Sequence, residues 1–374
     1  MANMLDYIVW RGDLNWDASG MNEIDALILA QLAMAKWEHA PGRFGLLGDL
    51  SGSMTDEDSV SAGFTGQSDR KLLALVHTSA RFGAIQLTDY VNEVDREAGI
   101  QFSAVTLHLP DGSLYVAYRG TDLSVVGWKE DFALSFDRPT PAQEAALRYL
   151  TEAVKRYDGP VCVGGHSKGG NLAMFAASQA DEEVRARIRD IYNFDGPGLS
   201  DQMDTEPLYA RIDGKLCSYV PQGSMIGLLL AHPDEYRIVK STAIGLLQHD
   251  PYSWQVEGPR FLYMPSLSLD SVRFDRIFQE WMKRVDEGDR EALTHTLFGF
   301  FDAADTGHFG AKFWLSLVQN PLAVQTAVNS VPREVRTRAL RAIKELWMAA
   351  IRSWSEKPAL DPAGATDDDD DTAS

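Results

Sequence analysis

The sequence predicts an α/β protein, with a mostly parallel central sheet flanked by helices and an added helical region at the C-terminal end. Three observations carry this expectation. Between residues 102 and 240 the hydrophobic period switches repeatedly between 2 and 3.6, so strands and helices alternate as in successive βαβ units. A glycine-framed serine, Gly165-His166-Ser167-Lys168-Gly169, falls where one such strand meets the following helix. From Leu267 onward the pattern is helical alone.

In chain order, Asn22 is placed as a helix cap, and Ile24, Leu27, Ile28, Leu32 and Ala35 follow at helical spacing. Residues 42–69 are rich in Gly, Ser and Asp with scattered apolar positions, which predicts a long surface loop or flap. Residues 102–109 and 114–118 read as strands joined by the turn Pro110-Asp111-Gly112-Ser113. Next come a helix over 141–156, a short buried strand over 161–164, a helix over 169–179 and a strand over 188–194. Candidate strands at 215–220 and 236–240 extend the sheet. Helices are predicted over 272–285, 290–301 and 332–353, with Pro332 well placed at a helix start because its missing N–H is needed least there. The domain expectation is a core over 1–266, a helical subdomain over 267–359 and a disordered acidic tail over 360–374. No internal repeat is present, which excludes solenoids and propellers.

Composition narrows the class of function. With 45% hydrophobic and 24% charged residues, the chain has the make-up of a folded soluble protein. Acidic residues outnumber basic ones by 54 to 35, giving −19, and such a surface repels phosphate backbones and anionic headgroups at long range. Nucleic acid is therefore not an expected partner. Asp361 and the run from Asp367 to Asp371 lie in a tail with no large apolar residue, and a bare aspartate run lacks the turn glycine and spaced ligands of a preorganised calcium loop. Cys162 and Cys217 lie in apolar stretches and exclude a disulfide scaffold, which fits a reducing compartment. The N-terminus lacks a basic segment followed by an apolar one, and no run reaches the ~18 apolar residues needed to span a bilayer. The expected location is the cytoplasm, without stable membrane insertion.

The serine motif carries the chemistry. A serine on a sharp strand-to-helix turn has a strained backbone, and glycines two residues to either side let neighbouring chain approach, so that Oγ is held up and exposed. A phosphate-binding loop needs lysine before the hydroxyl residue, and here Ser167 precedes Lys168. A nucleophilic serine needs a base, and the base needs an acid to fix its tautomer, in the chain order Ser, acid, His. Asp195 ends the apolar run Ile191-Tyr192-Asn193-Phe194 and so stands at the carboxyl end of the next strand. Of the histidines that follow it, His249 in Gln248-His249-Asp250-Pro251 is the first choice as base and His232 the second, with Asp234 as the alternative acid. Two donors must face the oxyanion: the N–H of Lys168, and Thr121 in Tyr118-Arg119-Gly120-Thr121, where the chain leaves the hairpin.

Arg119-Gly120-Thr121, then Trp128-x-x-Asp131, then Gly165-His166-Ser167-x-Gly169-Gly170 resemble the class 3 (fungal-type) lipases of the α/β-hydrolase superfamily. More closely, the chain resembles the bacterial Mbeg-like hydrolases. That likeness runs from Asp6-Tyr7-Ile8-Val9-Trp10-Arg11-Gly12-Asp13 and Asn22-Glu23-x-Asp25 through Val220-Pro221-Gln222 and Ser224-x-Ile226-Gly227 to Gln248-His249-Asp250, most of residues 3 to 260. The resemblance implies an α/β-hydrolase fold with Ser167 as nucleophile, His249 as base and Thr121 at the oxyanion. Two departures stand out. Class 3 lipases usually place the acid after a later strand, where this chain has Pro221-Gln222-Gly223-Ser224, so Asp195 is chosen on position; and Lys168 replaces the usual apolar residue, with its charge either drawing an anionic substrate group or reaching solvent. The apolar stretch 225–231 fits an acyl pocket, a lid or a buried core helix equally well.

The resulting expectation is a serine hydrolase that cleaves a small-molecule carboxylic ester through an acyl-enzyme, with no cofactor or metal. The other readings are a catalytically silent hydrolase fold used for binding or regulation, and a thioesterase, peptidase or acyltransferase using the same nucleophile.

Overall fold

The structure, a computed structural model, describes residues 1–40, 44–54, 60, 65–95, 100–121, 134, 139–200, 203–232, 235–304 and 332–355. Trp128, Asp131, Asp234 and the acidic tail lie outside these residues, as does much of the expected flap.

Eight strands form one sheet in sequence order: β1 (Gly45–Leu46), β2 (Gln86–Asp95), β3 (Ile100–His108), β4 (Leu114–Tyr118), β5 (Val161–His166), β6 (Ile188–Phe194), β7 (Leu216–Pro221) and β8 (Arg237–Val239). The pairs from β1 to β4 are antiparallel and those from β4 to β8 parallel. Helices Pro141–Arg156 and Lys168–Gln179 connect β4 to β5 and β5 to β6. The predicted α/β architecture is the observed one.

Both faces of the sheet are buried at its centre, which explains why β4 is apolar at every position. Tyr115 and Ala117 face a cluster with the N-terminal helices Met4–Arg11, Glu23–Gln31 and Gly66–Thr78. Leu114, Val116 and Tyr118 face helices Pro141–Arg156 and Lys168–Gln179 on the other side. The N-terminal layer is fastened by a buried ion pair, in which the Arg81 guanidinium contacts Asp25 at 2.5 Å and also donates to Leu14 O, Asn15 O, Ser19 O and Gly20 O.

Three expectations change. Residues 44–54 are not flap: β1 pairs with β2, and helix Leu47–Gly52 buries Leu47 and Leu50. Strand β2 was not expected, because Thr88-Asp89-Tyr90-Val91-Asn92-Glu93-Val94-Asp95 shows little apolar alternation; every residue from Val91 to Asp95 is exposed and a bulge interrupts the strand between Thr88 and Val91. Residues 225–231 form turns rather than a core helix, with Leu228 and Leu230 buried.

The C-terminal helices Leu269–Arg284, Glu287–Ala304 and Arg333–Ser355 share a small core that includes Trp281, Met282, Ala339 and Ala342 together with Leu230, which follows β7. Gln279 Nε2 donates to Leu230 O at 3.2 Å, and Ser271 Oγ donates to Ser224 O. The helical region is thereby joined to the turns below β7. Among the described residues no helix is long and apolar enough to cross a membrane.

Candidate active site

Parallel strands leave their carboxyl ends along one rim, and each passes one further backbone bond to its neighbour there. Ser167 N donates to Phe194 O at 2.9 Å, Asp195 N to Tyr219 O at 2.8 Å and Gln222 N to Val239 O at 2.9 Å. Ser167 and Asp195 thus stand side by side, each one residue past its strand.

Ser167 has φ 59° and ψ −132°, a left-handed conformation that L-residues avoid, at the cap of helix Lys168–Gln179. The tight turn depends on Gly165, where an added Cβ would lie 2.3 Å from the Gly169 carbonyl carbon. On the hairpin side, a Cβ on Gly120 would lie 2.7 Å from His166 O and 3.3 Å from Ser167 Cβ, so the Gly120-Thr121 segment lies directly against the turn. Thr121 is half-buried there, and Lys168 N heads the helix, whose first-turn amides have no intrahelical acceptor. Both expected oxyanion residues flank Ser167. Beyond Arg119, whose Nη2 donates to Asn92 Oδ1 at 2.8 Å, a hollow of about 320 Å3 is lined by Glu38, Phe44, Tyr90 and Asn92.

The Lys168 side chain corrects the expectation made for it. It is 2% exposed, and Nζ donates to Gln101 O and to Gln101 Oε1, both at 2.8 Å. The charge does not reach solvent, and its bonds to Gln101 tie the elbow helix to β3.

Asp195 is fully buried, also with positive φ at 50°. Its Oδ2 lies 2.7 Å from His249 Nδ1, while Oδ1 accepts from Ser224 Oγ at 2.5 Å and Gly227 N at 3.1 Å. Three donors on one carboxylate fix its plane, so that it aligns the imidazole. Asp195 and His249, chosen by position and chain order, are brought together; His232 instead packs edge-on against the Tyr236 ring. His249 ends the short 3-10 turn Gly245–His249, and its side chain is 25% exposed, leaving Nε2 as the second ring nitrogen. Ser167 Oγ makes no hydrogen bond to His249 in this structure, as is common where such pairs tighten only around substrate.

His166 connects Ser167, its neighbour in the chain, to His249. Its ring lies 4.6 Å from that of His249, and its Nε2 is 2.8 Å from His249 O. Since a carbonyl only accepts, the proton of the neutral ring sits on Nε2. Burial, reinforced by the neighbouring His249, holds the His166 pKa well below the usual imidazole value.

His166, Ser224, Gly227 and Gln248 were not assigned structural roles from sequence alone. Ser224 and Gly227 support the acid, and Gln248 Oε1 accepts from Gly223 N at 3.0 Å. Their signal was present in the motifs Ser224-x-Ile226-Gly227 and Gln248-His249-Asp250, whose residue types were legible but whose meeting in space was not. The segment after β7 thus supports Asp195, through Ser224 and Gly227. Among the described residues no group of three or more His, Cys, Asp or Glu is placed to hold a metal ion.

Comparison with solved structures finds the Rhizomucor miehei lipase propeptide complex at 17% identity and a TM-score of 0.32, covering 42% of this chain and 57% of that one. The chain thus spans little more than half the length of that relative. No curated protein matches the chain. A match to the Mbeg1-like family spans residues 76–299, more than half of the sequence and including Ser167, Asp195 and His249, and the chain belongs to that family.

Proposed function

We propose that this protein is a serine hydrolase that cleaves a small carboxylic ester. The observation that carries the reading is the 2.7 Å hydrogen bond from His249 to the buried Asp195, on the same strand-end rim as a serine held in a left-handed turn. Ser167 Oγ attacks the acyl carbon while His249 Nε2 takes its proton. Asp195 steadies the imidazolium, and the N–H groups of Lys168 and Thr121 receive the oxyanion. Collapse expels the alcohol, which takes the proton from His249. Water, activated by the same imidazole, then releases the acid and frees Ser167. No step calls for a metal or organic cofactor. We place the protein in the cytoplasm, acting on a soluble ester rather than on nucleic acid.

Labelling with a fluorophosphonate probe tests the nucleophile. Wild-type protein labels and Ser167→Ala does not; equal labelling of both ends the proposal by pointing to another nucleophile, and labelling of neither ends it and leaves a silent fold used for binding. Assaying ester, thioester and amide substrates side by side then fixes the acceptor class.

A further inference from the structure

The segment that presents His249 has a weakly packed outer half. Ile244, Leu246 and Leu247, just before it, are 80%, 56% and 63% exposed, so packing alone does little to fix the turn. Its inner half is pinned instead. His249 O receives His166, Gln248 O receives Trp254 Nε1 at 2.8 Å, and Tyr252 O receives Asn3 Nδ2 at 2.8 Å.

One further anchor differs in kind. Asp69, on helix Gly66–Thr78, is 3% exposed, and its Oδ1 accepts from Tyr252 OH at 2.6 Å and from Gln31 Nε2 at 2.9 Å. Oδ2 accepts from Thr65 Oγ1 at 2.7 Å. Among the described residues no cation lies within ion-pair distance of it. Asp250, on the same loop as Tyr252, is the other ionisable group that bears on it, and it repels. A buried carboxylate without a counter-ion is costly, and an asparagine would accept from Tyr252 without that cost. What the carboxylate adds is grip, because a charge-assisted hydrogen bond is about twice as strong as a neutral one. Such departures from the economy of a core concentrate where function needs a fixed geometry.

We propose that Asp69 is a positioning residue for the base: through the Tyr252 hydroxyl it fixes the loop that sets His249 over the elbow. This rests on the reading of His249 as the base. Misplacement by an ångström is enough to slow such a reaction severely.

The test uses the full chain, with Tyr252→Phe to remove the hydroxyl alone and Asp69→Asn to remove the charge and keep an acceptor. With a short-chain p-nitrophenyl ester, kcat falls about tenfold in Tyr252→Phe and severalfold in Asp69→Asn, with KM nearly unchanged. Stability moves in opposite directions near pH 8, Asp69→Asn melting higher than wild type and Tyr252→Phe lower. In protein labelled with 15N-histidine, the Nδ1 proton signal of His249, assigned with His249→Gln, broadens in both variants. If kcat instead follows stability, so that Asp69→Asn is as fast as wild type or faster, Asp69 is merely structural and the proposal fails. An unchanged His249 signal in both variants also overturns it. Should wild-type protein neither turn over ester nor take the fluorophosphonate, the hydrolase reading fails, while the histidine signal still decides whether Asp69 holds His249.

Discussion

Ser167 and His249 stand on one rim, yet they are held there by different means. Ser167 is set by glycines two residues away and by the ladder between adjacent parallel strands. His249 is set by Asp195, by His166 and, through Tyr252, by Asp69 and Asn3, the last of these contacts joining residues 249 positions apart. The proposed nucleophile is thus a local feature of the chain and the proposed base a product of the assembled fold. Substitutions in the two regions should fail differently, with loss of fold at the elbow and loss of rate without loss of fold around the base.

The largest effect is expected at the junction of the two regions. Asp195→Asn keeps an acceptor in place but offers His249 the wrong tautomer partner, and kcat for ester hydrolysis is expected to fall ~10,000-fold with a near-native melting curve. At the elbow, Gly165→Ala forces a methyl group into the Gly169 backbone, and a loss of roughly 3 kcal/mol or more is expected, read as a shifted denaturant midpoint or insoluble protein.

Asp69 sharpens the contrast through pH. Burial pushes its carboxyl up to about 6, so the folded chain binds this proton more tightly than the unfolded one does. The resulting stabilisation is full below the unfolded value near 3.8 and is lost as pH rises through about 6. Asp69→Asn is therefore expected to be more stable than wild type by up to about 3 kcal/mol near pH 8, the difference closing towards pH 4 in urea titrations. A smaller effect is expected at Ser224→Ala, which removes one donor from the acid and lowers kcat by roughly ten- to a hundredfold with KM little changed.

The same contrast explains what could be read in advance. The alternating elements, the strand-helix setting of Ser167 and the position of Asp195 all follow from periods and spacings within a short window of sequence. His249 was reached by chain order, a rule about topology rather than contact. Asp69, Tyr252 and Asn3 offered no comparable signal, because nothing local distinguishes a buried aspartate in helix Gly66–Thr78 from an exposed one. Lys168 misled for the same reason. Its burial against Gln101 depends on where the start of β3 passes the elbow helix. Strand β2 escaped because its pairing with β3, rather than any apolar alternation, makes it a strand.

The bonds from Asn3 to Tyr252 O and from Val256 N to Ala2 O have a kinetic consequence. They close almost the whole described core into a single loop, and contacts of such separation form slowly because the chain entropy of closure must be lost before they contribute. Refolding from denaturant should recover far-UV circular dichroism first. Reactivity towards a serine-directed probe should return only in the last phase, when the two ends of the core have met.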